Sequence, residues 1–284
     1  MMKLRIAIPN KGRMREPAIE LLKGAGLKLN SGDDKALFIK TNNPDVDVIA
    51  ARVEDIPEFV EDGAADIGIA GRDVVEERGV KVKELMPLNF GQCSLVLAAK
   101  EDSGIKSVND IKDGSRVATK FVNLAREYFK KNGKKVEIVE LSGAVEIAPV
   151  IGLAEVIVDL TSTGSTLKTH GLVVIDTILE SQAVLIANSK CAGELLDDLL
   201  LGIQGVVSAE KKKYLMVNLP EDRLADMEKV CKGMLSPTVT KLDKAGWIAA
   251  QMVVDGKEIF GLIKALKKIG GRDILVLPIE RLVK

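Results

Sequence analysis

Short apolar runs bounded by glycine or small polar residues recur along the first two thirds of the chain, with amphipathic segments between them. The runs at 4–8, 65–70, 94–99, 115–118, 136–141, 153–158 and 183–187 have the length of strands. Most lack alternation, as expected of strands buried on both faces. The pattern predicts helices at 16–24, 55–62, near 108–112, up to about 131, and at 144–151. Residues 31–50 read as two strands about the turn Asn42-Asn43-Pro44. Strand, glycine turn and helix in succession are the grammar of an α/β protein.

One unit of this pattern occurs twice. A helix, a glycine, a small residue and an acid precede the apolar strand that ends at Gly71-Arg72-Asp73, and again precede the strand that ends at Asp159. The repeat predicts two similar α/β lobes whose strand-end loops face one cleft, a favoured place for a ligand. The rhythm changes at 194, where Leu195, Leu199, Ile203 and Val206 or Val207 share a helical face that Leu196 and Leu200 widen. The run Glu210-Lys211-Lys212-Lys213 then reads as a solvated linker. Beyond it come strands at 214–218, 237–242, 247–254 and 274–277. Between them lie a helix from Pro220 with Leu224, Met227 and Cys231 on one face, and a helix at 257–269 with Ile259, Ile263 and Leu266 inward. The order βαββαβ is ferredoxin-like. The domains expected are 1–93 with 183–212, then 94–182, then 213–284.

The stretch with most chemistry is 155–172, EVIVDLTSTGSTLKTHGL. After the apolar strand and Asp159 come Thr161, Ser162, Thr163, Gly164, Ser165 and Thr166. Hydroxyls and a glycine that frees the backbone N–H groups can hold a phosphate by directed hydrogen bonds. The same composition also makes an ordinary solvated turn. The order Asp159, Thr163, Gly164, Thr166 resembles the phosphoribosyl-pyrophosphate loop of phosphoribosyltransferases, with Leu160 where that loop commonly has a second acid. Lys11 and Arg13, in Asn10-Lys11-Gly12-Arg13, stand between a strand and a helix, where α/β folds bind ligands; a solvated basic turn reads equally well.

Composition narrows the function. At 284 residues with 46% hydrophobic and only 3% aromatic content, the chain has room for two or three aliphatic cores. Basic and acidic residues balance at 41 each, which argues against nucleic acid as the main partner. Cys93, Cys191 and Cys231 are odd in number and in no metal spacing, as in a reducing cytoplasm. With His170 the only histidine, a zinc site or serine–histidine triad is not expected. No apolar run has membrane-spanning length, and no signal-peptide pattern opens the chain.

Seven stretches in the right order carry a resemblance over nearly the whole chain. They are LRIAIPNKGRM at 4–14, GAADIGIAGRDVV at 63–75, FGQCSL at 90–95, GAVEIAP at 143–149, DLTSTGSTL at 159–167, IQGVV at 203–207 and LSPTV at 235–239. In these the chain resembles the long form of ATP phosphoribosyltransferase, the first enzyme of histidine biosynthesis. The resemblance implies two periplasmic-binding-protein-like (type II) lobes followed by a ferredoxin-like regulatory domain. One departure is Phe121-Val122, where the family often has Tyr-Pro; Lys120 and Asn123 are the neighbouring donors.

The implied reaction is attack by N1 of ATP on C1 of phosphoribosyl pyrophosphate, with Mg2+ at the departing pyrophosphate. Acids near the ribose would be Asp159, Glu146 and Asp73, and cations Lys11, Arg52 and Arg72. Glu146 reads equally as a plain helix-start residue. Thr161 to Thr166 would hold the 5′-phosphate, with Gly12, Arg13 and Leu167 as further substrate contacts. Histidine would inhibit by binding near Asn218, Leu235, Ser236 and Thr238. Homo-oligomers, dimer and hexamer, are implied as well. The rival reading is a bilobal sensor of small anions with no catalytic activity.

Overall fold

The structure, a computed structural model, describes residues 3–30, 37–231 and 237–283. The first lobe begins with β1 (Leu4–Pro9), α1 (Arg15–Gly24), β2 (Phe38–Lys40), β3 (Val46–Ala51), α2 (Ile56–Glu61), β4 (Ile67–Gly71), α3 (Arg72–Arg78) and β5 (Val82–Pro87). The chain then leaves for a second lobe made of β6 (Cys93–Lys100), β7 (Arg116–Thr119), α4 (Val122–Lys131), β8 (Glu137–Glu140), β9 (Val156–Thr161), α5 (Ser165–Thr169) and β10 (Leu172–Ser181). It returns as β11 (Ala183–Asn188), which enters the first sheet between β4 and β5.

The two sheets share one plan. In the first the order is β2-β3-β1-β4-β11-β5, and in the second β10-β6-β9-β7-β8. Strands β3, β1 and β4 run parallel, and so do β8, β7 and β9. In each sheet the connecting strand, β11 or β6, lies antiparallel to both of its neighbours. With the extra edge strand β2 set aside, each has the order second, first, third, connecting, fourth, which turns the sequence repeat into a topological one. The two crossings between lobes lie side by side: Ala183 N–H donates to Phe90 O and Leu88 N–H to Ala183 O, both at 2.9 Å.

Aliphatic strands bury both faces against helices. In β4 every residue is buried, as are the first three of β9. Gly68 has no room for a side chain, because a Cβ there would lie 2.6 Å from Ile56 Cγ2. Phe129 and Phe121 are aromatic exceptions in the aliphatic core of the second lobe.

The second compact unit comprises residues 21–26 and 194–284. It contains α6 (Glu194–Ala209), β12 (Lys212–Pro220), α7 (Leu224–Val230), β13 (Thr238–Lys241), β14 (Trp247–Asp255), α8 (Ile259–Lys268) and β15 (Arg272–Pro278). Its four strands pair antiparallel in the order β13-β14-β12-β15, the ferredoxin-like arrangement. Alternate residues Leu215, Val217 and Leu219 of β12 meet Met227, Leu262 and Leu266 of the two helices.

Several sequence expectations change. Helix α6 groups with this unit, so of the predicted 183–212 segment only β11 belongs to the first lobe. Its buried face keeps Leu199 and Ile203 of the predicted stripe, with Leu196 buried in place of Leu195, which is half-buried. The helices expected at 108–112 and 144–151 are single 3-10 turns, Val108–Asp110 and Val145–Ile147. Ala144 before the second adopts φ 52°, which no helix can continue through. Pro220 both ends β12, opposite Trp247, and caps the 3-10 turn Glu221–Arg223 that leads into α7. On α8 the buried residues are Leu262 and Leu266, with Ile259 and Ile263 half-buried. Elements α3, β5, α5 and β10 have no counterpart in the sequence reading.

Candidate active site

The carboxyl ends of the parallel strands in both sheets carry the loops rich in candidate chemistry, as the shared topology requires. After β9 the chain turns at Gly164, whose φ of 74° places it in the left-handed region at the start of α5. Gly164 N–H donates to Thr161 Oγ1 at 2.8 Å, and Thr163 Oγ1 lies 2.9 Å from Ser165 Oγ. Ser162, Thr163, Ser165 and Thr166 are exposed. They line a cavity of about 260 Å³ together with Glu146, Asp159, Leu160, Thr161 and Leu167. Leu167 is 4% exposed and its side chain belongs to the core, so only its backbone is available to a substrate.

Two carboxylates face this cavity. Burial pushes the Asp159 carboxyl above its ordinary value, and the charge of Glu146 adds to the rise. The N–H of Leu160, 2.8 Å from Asp159 Oδ1, and the charge of Lys120 oppose it. Among the described residues no group of three or more His, Cys, Asp or Glu is placed to cage a metal. A pair of carboxylates beside a hydroxyl-rich loop nevertheless fits Mg2+, which commonly takes one or two carboxylates and completes its octahedron with substrate phosphate and water.

On the first lobe, Lys11, Gly12 and Arg13 follow β1 and are exposed. Gly12 has φ 80°. The Arg13 guanidinium reaches across to the hydroxyl loop after β9, donating to Ser162 Oγ, and at 3.4 Å to Gly91 O at the crossing. Arg52, after β3, is exposed. Thus the structure brings Arg13 to the loop that shares a cavity with Asp159 and Glu146.

Two candidates are placed differently from expectation. Arg72 is not a free cation: Glu84 on β5 receives its Nε at 3.0 Å and its Nη2 as well, and this pairing raises the arginine pKa. Asp73, expected beside the ribose, is only 5% exposed. Its Oδ1 accepts from Ser181 Oγ at 2.6 Å, and its N–H donates to the same oxygen at 3.0 Å. The carboxylate is packed so closely that a Cβ on Gly71 would lie 2.4 Å from Oδ1. Asp73 therefore fastens α3 to the end of β10. Its partner is 108 residues away, so no local pattern reveals the role.

A second cavity of about 440 Å³ lies between the lobes, where Glu54, Glu77 and Arg78 face Lys120, Asn123 and Glu140. Phe121 beside it is 2% exposed, and Lys120 Nζ sits 5.0 Å from its ring centre. The ring is thus a core side chain, and Lys120 is the polar group that the loop presents. Glu77 went unrecognised in the sequence, where it is one of several charges between Arg72 and Arg78.

In the C-terminal unit, Asn218 Nδ2 donates to Asp273 Oδ2 at 3.1 Å, and Thr238 is exposed on β13. Leu235 and Ser236 lie outside the described residues.

Comparison with known proteins agrees with this architecture. Residues 52–205 match the family described as ATP phosphoribosyltransferase, and residues 209–281 match the C-terminal domain of the same family. A protein of Methanothermobacter thermautotrophicus named ATP phosphoribosyltransferase is 48% identical over 99% of this chain and 100% of its own length. One of Methanocaldococcus jannaschii with the same name is also 48% identical, over 98% of this chain and 99% of its own. Among solved structures, an ATP phosphoribosyl transferase (HisG:HisZ) complex from Thermotoga maritima aligns with TM-score 0.62 and 30% identity. That match covers 98% of the Thermotoga chain and 70% of this one.

Proposed function

The chain belongs to the ATP phosphoribosyltransferase family, and from that premise we propose how its cleft divides the work. The enzyme transfers the phosphoribosyl group of phosphoribosyl pyrophosphate to N1 of ATP, the first step of histidine biosynthesis, and releases pyrophosphate. The observation that carries the site assignment is the 260 Å³ cavity, which joins an exposed hydroxyl loop to two carboxylates. We assign the 5′-phosphate to the hydroxyls and backbone N–H groups of 161–166. The ribose then lies toward Asp159 and Glu146, and the nucleotide toward the larger cavity that Lys120 enters.

In the reaction the N1 lone pair forms a bond to C1 while the bond from C1 to the pyrophosphate oxygen breaks. N1 needs no base, which agrees with the absence of histidine from the cleft. Positive charge grows on the ribose as pyrophosphate departs, and a fixed carboxylate at Asp159 stabilises it there. Lys11 and Arg52, both exposed at strand ends, are the cations for the departing phosphates. Arg13 holds Ser162 and so orients the loop. Mg2+ bound at Glu146 or Asp159 would neutralise part of the pyrophosphate charge.

We place the reaction in the cytoplasm: Cys93, Cys191 and Cys231 are unpaired, and among the described residues no helix is long and apolar enough to cross a membrane. Histidine is assigned to the C-terminal unit, on Asn218 and Thr238, and dimers and hexamers are the expected assemblies. Pyrophosphate release from a mixture of the protein, ATP, phosphoribosyl pyrophosphate and magnesium tests the function. Binding without turnover would restore the reading as a sensor.

A further inference from the structure

Helix α3 of the first lobe carries acids at 73 and 77, four residues apart and so on one face. Both reach the second lobe. Asp73 grips Ser181 at the end of β10, beside the crossing strands. One helical turn farther along, the Glu77 carboxylate accepts from the backbone N–H of Asn123 at 2.9 Å and of Leu124 at 3.0 Å. These are first-turn donors of α4, which the helix itself cannot satisfy. Asn123 Nδ2 also donates to Glu77 O at 2.9 Å. A carboxylate from one lobe thus caps a helix of the other, with the positive end of that helix adding to the attraction. The side wall of the 440 Å³ cavity is formed by this contact.

We propose that Glu77 is a latch that holds the two lobes closed over the nucleotide cavity before any substrate has bound. The inner contact, Asp73 with Ser181, is buried and stays made, while the outer one is half-buried and can exchange with water. Motion about the crossings therefore breaks the Glu77 bonds first. Opening frees the α4 donors to water, and closing replaces water with charge-assisted bonds, so the intact latch favours the closed state by a modest margin that loss of the carboxylate removes. The assignment of the cavity to nucleotide rests on the proposed function; the latch itself does not.

The test measures the distance between lobes without substrate. Spin labels are placed at Asp62→Cys and Lys130→Cys of the full chain, with Cys191→Ser to remove the half-buried native thiol. Pulsed dipolar spectroscopy is then run with Glu77 intact, with Glu77→Gln and with Glu77→Ala. The intact latch should give one narrow distance. Glu77→Ala should add a longer one, shifting the ratio of open to closed by about tenfold, as the loss of a helix cap predicts. Glu77→Gln keeps one acceptor and should fall between. Identical narrow distributions for all three would overturn the latch, as would a broad distribution with Glu77 intact. Circular dichroism confirms folding, and Glu77→Gln carries the test if the alanine variant fails to fold. Because the readout uses neither ATP nor phosphoribosyl pyrophosphate, a wrong site assignment would leave it unaffected.

Discussion

Replacing Gly164 separates backbone strain from fold stability. The residue sits at φ 74°, and a Cβ added there would meet no atom within 4 Å. Packing therefore contributes nothing, and the whole penalty is conformational. An L-residue in the left-handed region costs about 1–2 kcal/mol. Because 162–166 is largely exposed, the loop can relieve that strain by moving, and the fold keeps its core. Binding must then restore the strained turn, including the 2.8 Å bond from Gly164 N–H to Thr161 Oγ1. At about 1.4 kcal/mol per tenfold, Gly164→Ala should weaken phosphoribosyl pyrophosphate binding roughly 5- to 30-fold. Gly164→Val should do worse, since its branched Cβ disfavours the turn further, and Gly164→Asn should do least harm. Titration calorimetry with magnesium measures the affinities, and scanning calorimetry should find the melting temperatures almost unmoved. Gly68→Ala is the control: its Cβ would strike Ile56 and Val60, so stability should fall while activity per folded molecule holds. Unchanged affinity in Gly164→Val would refute the reasoning, and so would a loss matched by an equal loss of stability.

Three further outcomes are expected. Burial raises the Asp159 carboxyl above 3.8, so the folded protein holds more protons than the unfolded one over a window starting at that value. Stability therefore falls as pH rises through this window, and Asp159→Asn escapes the loss. Its melting temperature should exceed that of the parent at neutral pH and converge with it below the window, while turnover is abolished; a constant difference across pH would contradict this. Lys11→Ala and Arg52→Ala should each lower turnover at least tenfold and shift stability by about 0.5 kcal/mol or less, as exposed charges do; steady-state rates beside urea unfolding check both. Removing residues 210–284 should abolish inhibition by histidine, and histidine should perturb the fluorescence of Trp247, the single tryptophan, in the full chain. Inhibition that survives the truncation would place its receptor elsewhere.

Strands β1 and β9 were legible because their apolar runs are buried on both faces and end at glycine or hydroxyl turns. The βαββαβ unit was legible because β12 and β14 alternate over most of their length. β10 hid for the opposite reason. It is an edge strand with register shifts between Val174 and Asp176 and between Thr177 and Leu179, so neither a continuous run nor a regular alternation survives. The hydroxyl loop at 161–166 stood out in the sequence because its residues are contiguous. Arg72 and Asp73 could not be placed, because what fixes them is Glu84 and Ser181, and tertiary partners leave no mark on a local pattern. The same holds for Glu77, whose contacts lie 46 and 47 residues away.

The insertion of β11 between β4 and β5 has a consequence for synthesis on the ribosome. The second lobe is one continuous stretch, and it can close as soon as β10 has left the exit tunnel. The first lobe cannot. Its β5 has no partner until β11 appears, which at ~5–20 residues per second is a wait on the order of ten seconds. Meanwhile β4, wholly apolar apart from its glycines, presents an unpaired edge, the kind of surface that recruits chaperones or neighbouring nascent chains. The lobe translated first is therefore the one completed last, and slow decoding between residues 93 and 183 would lengthen its exposure.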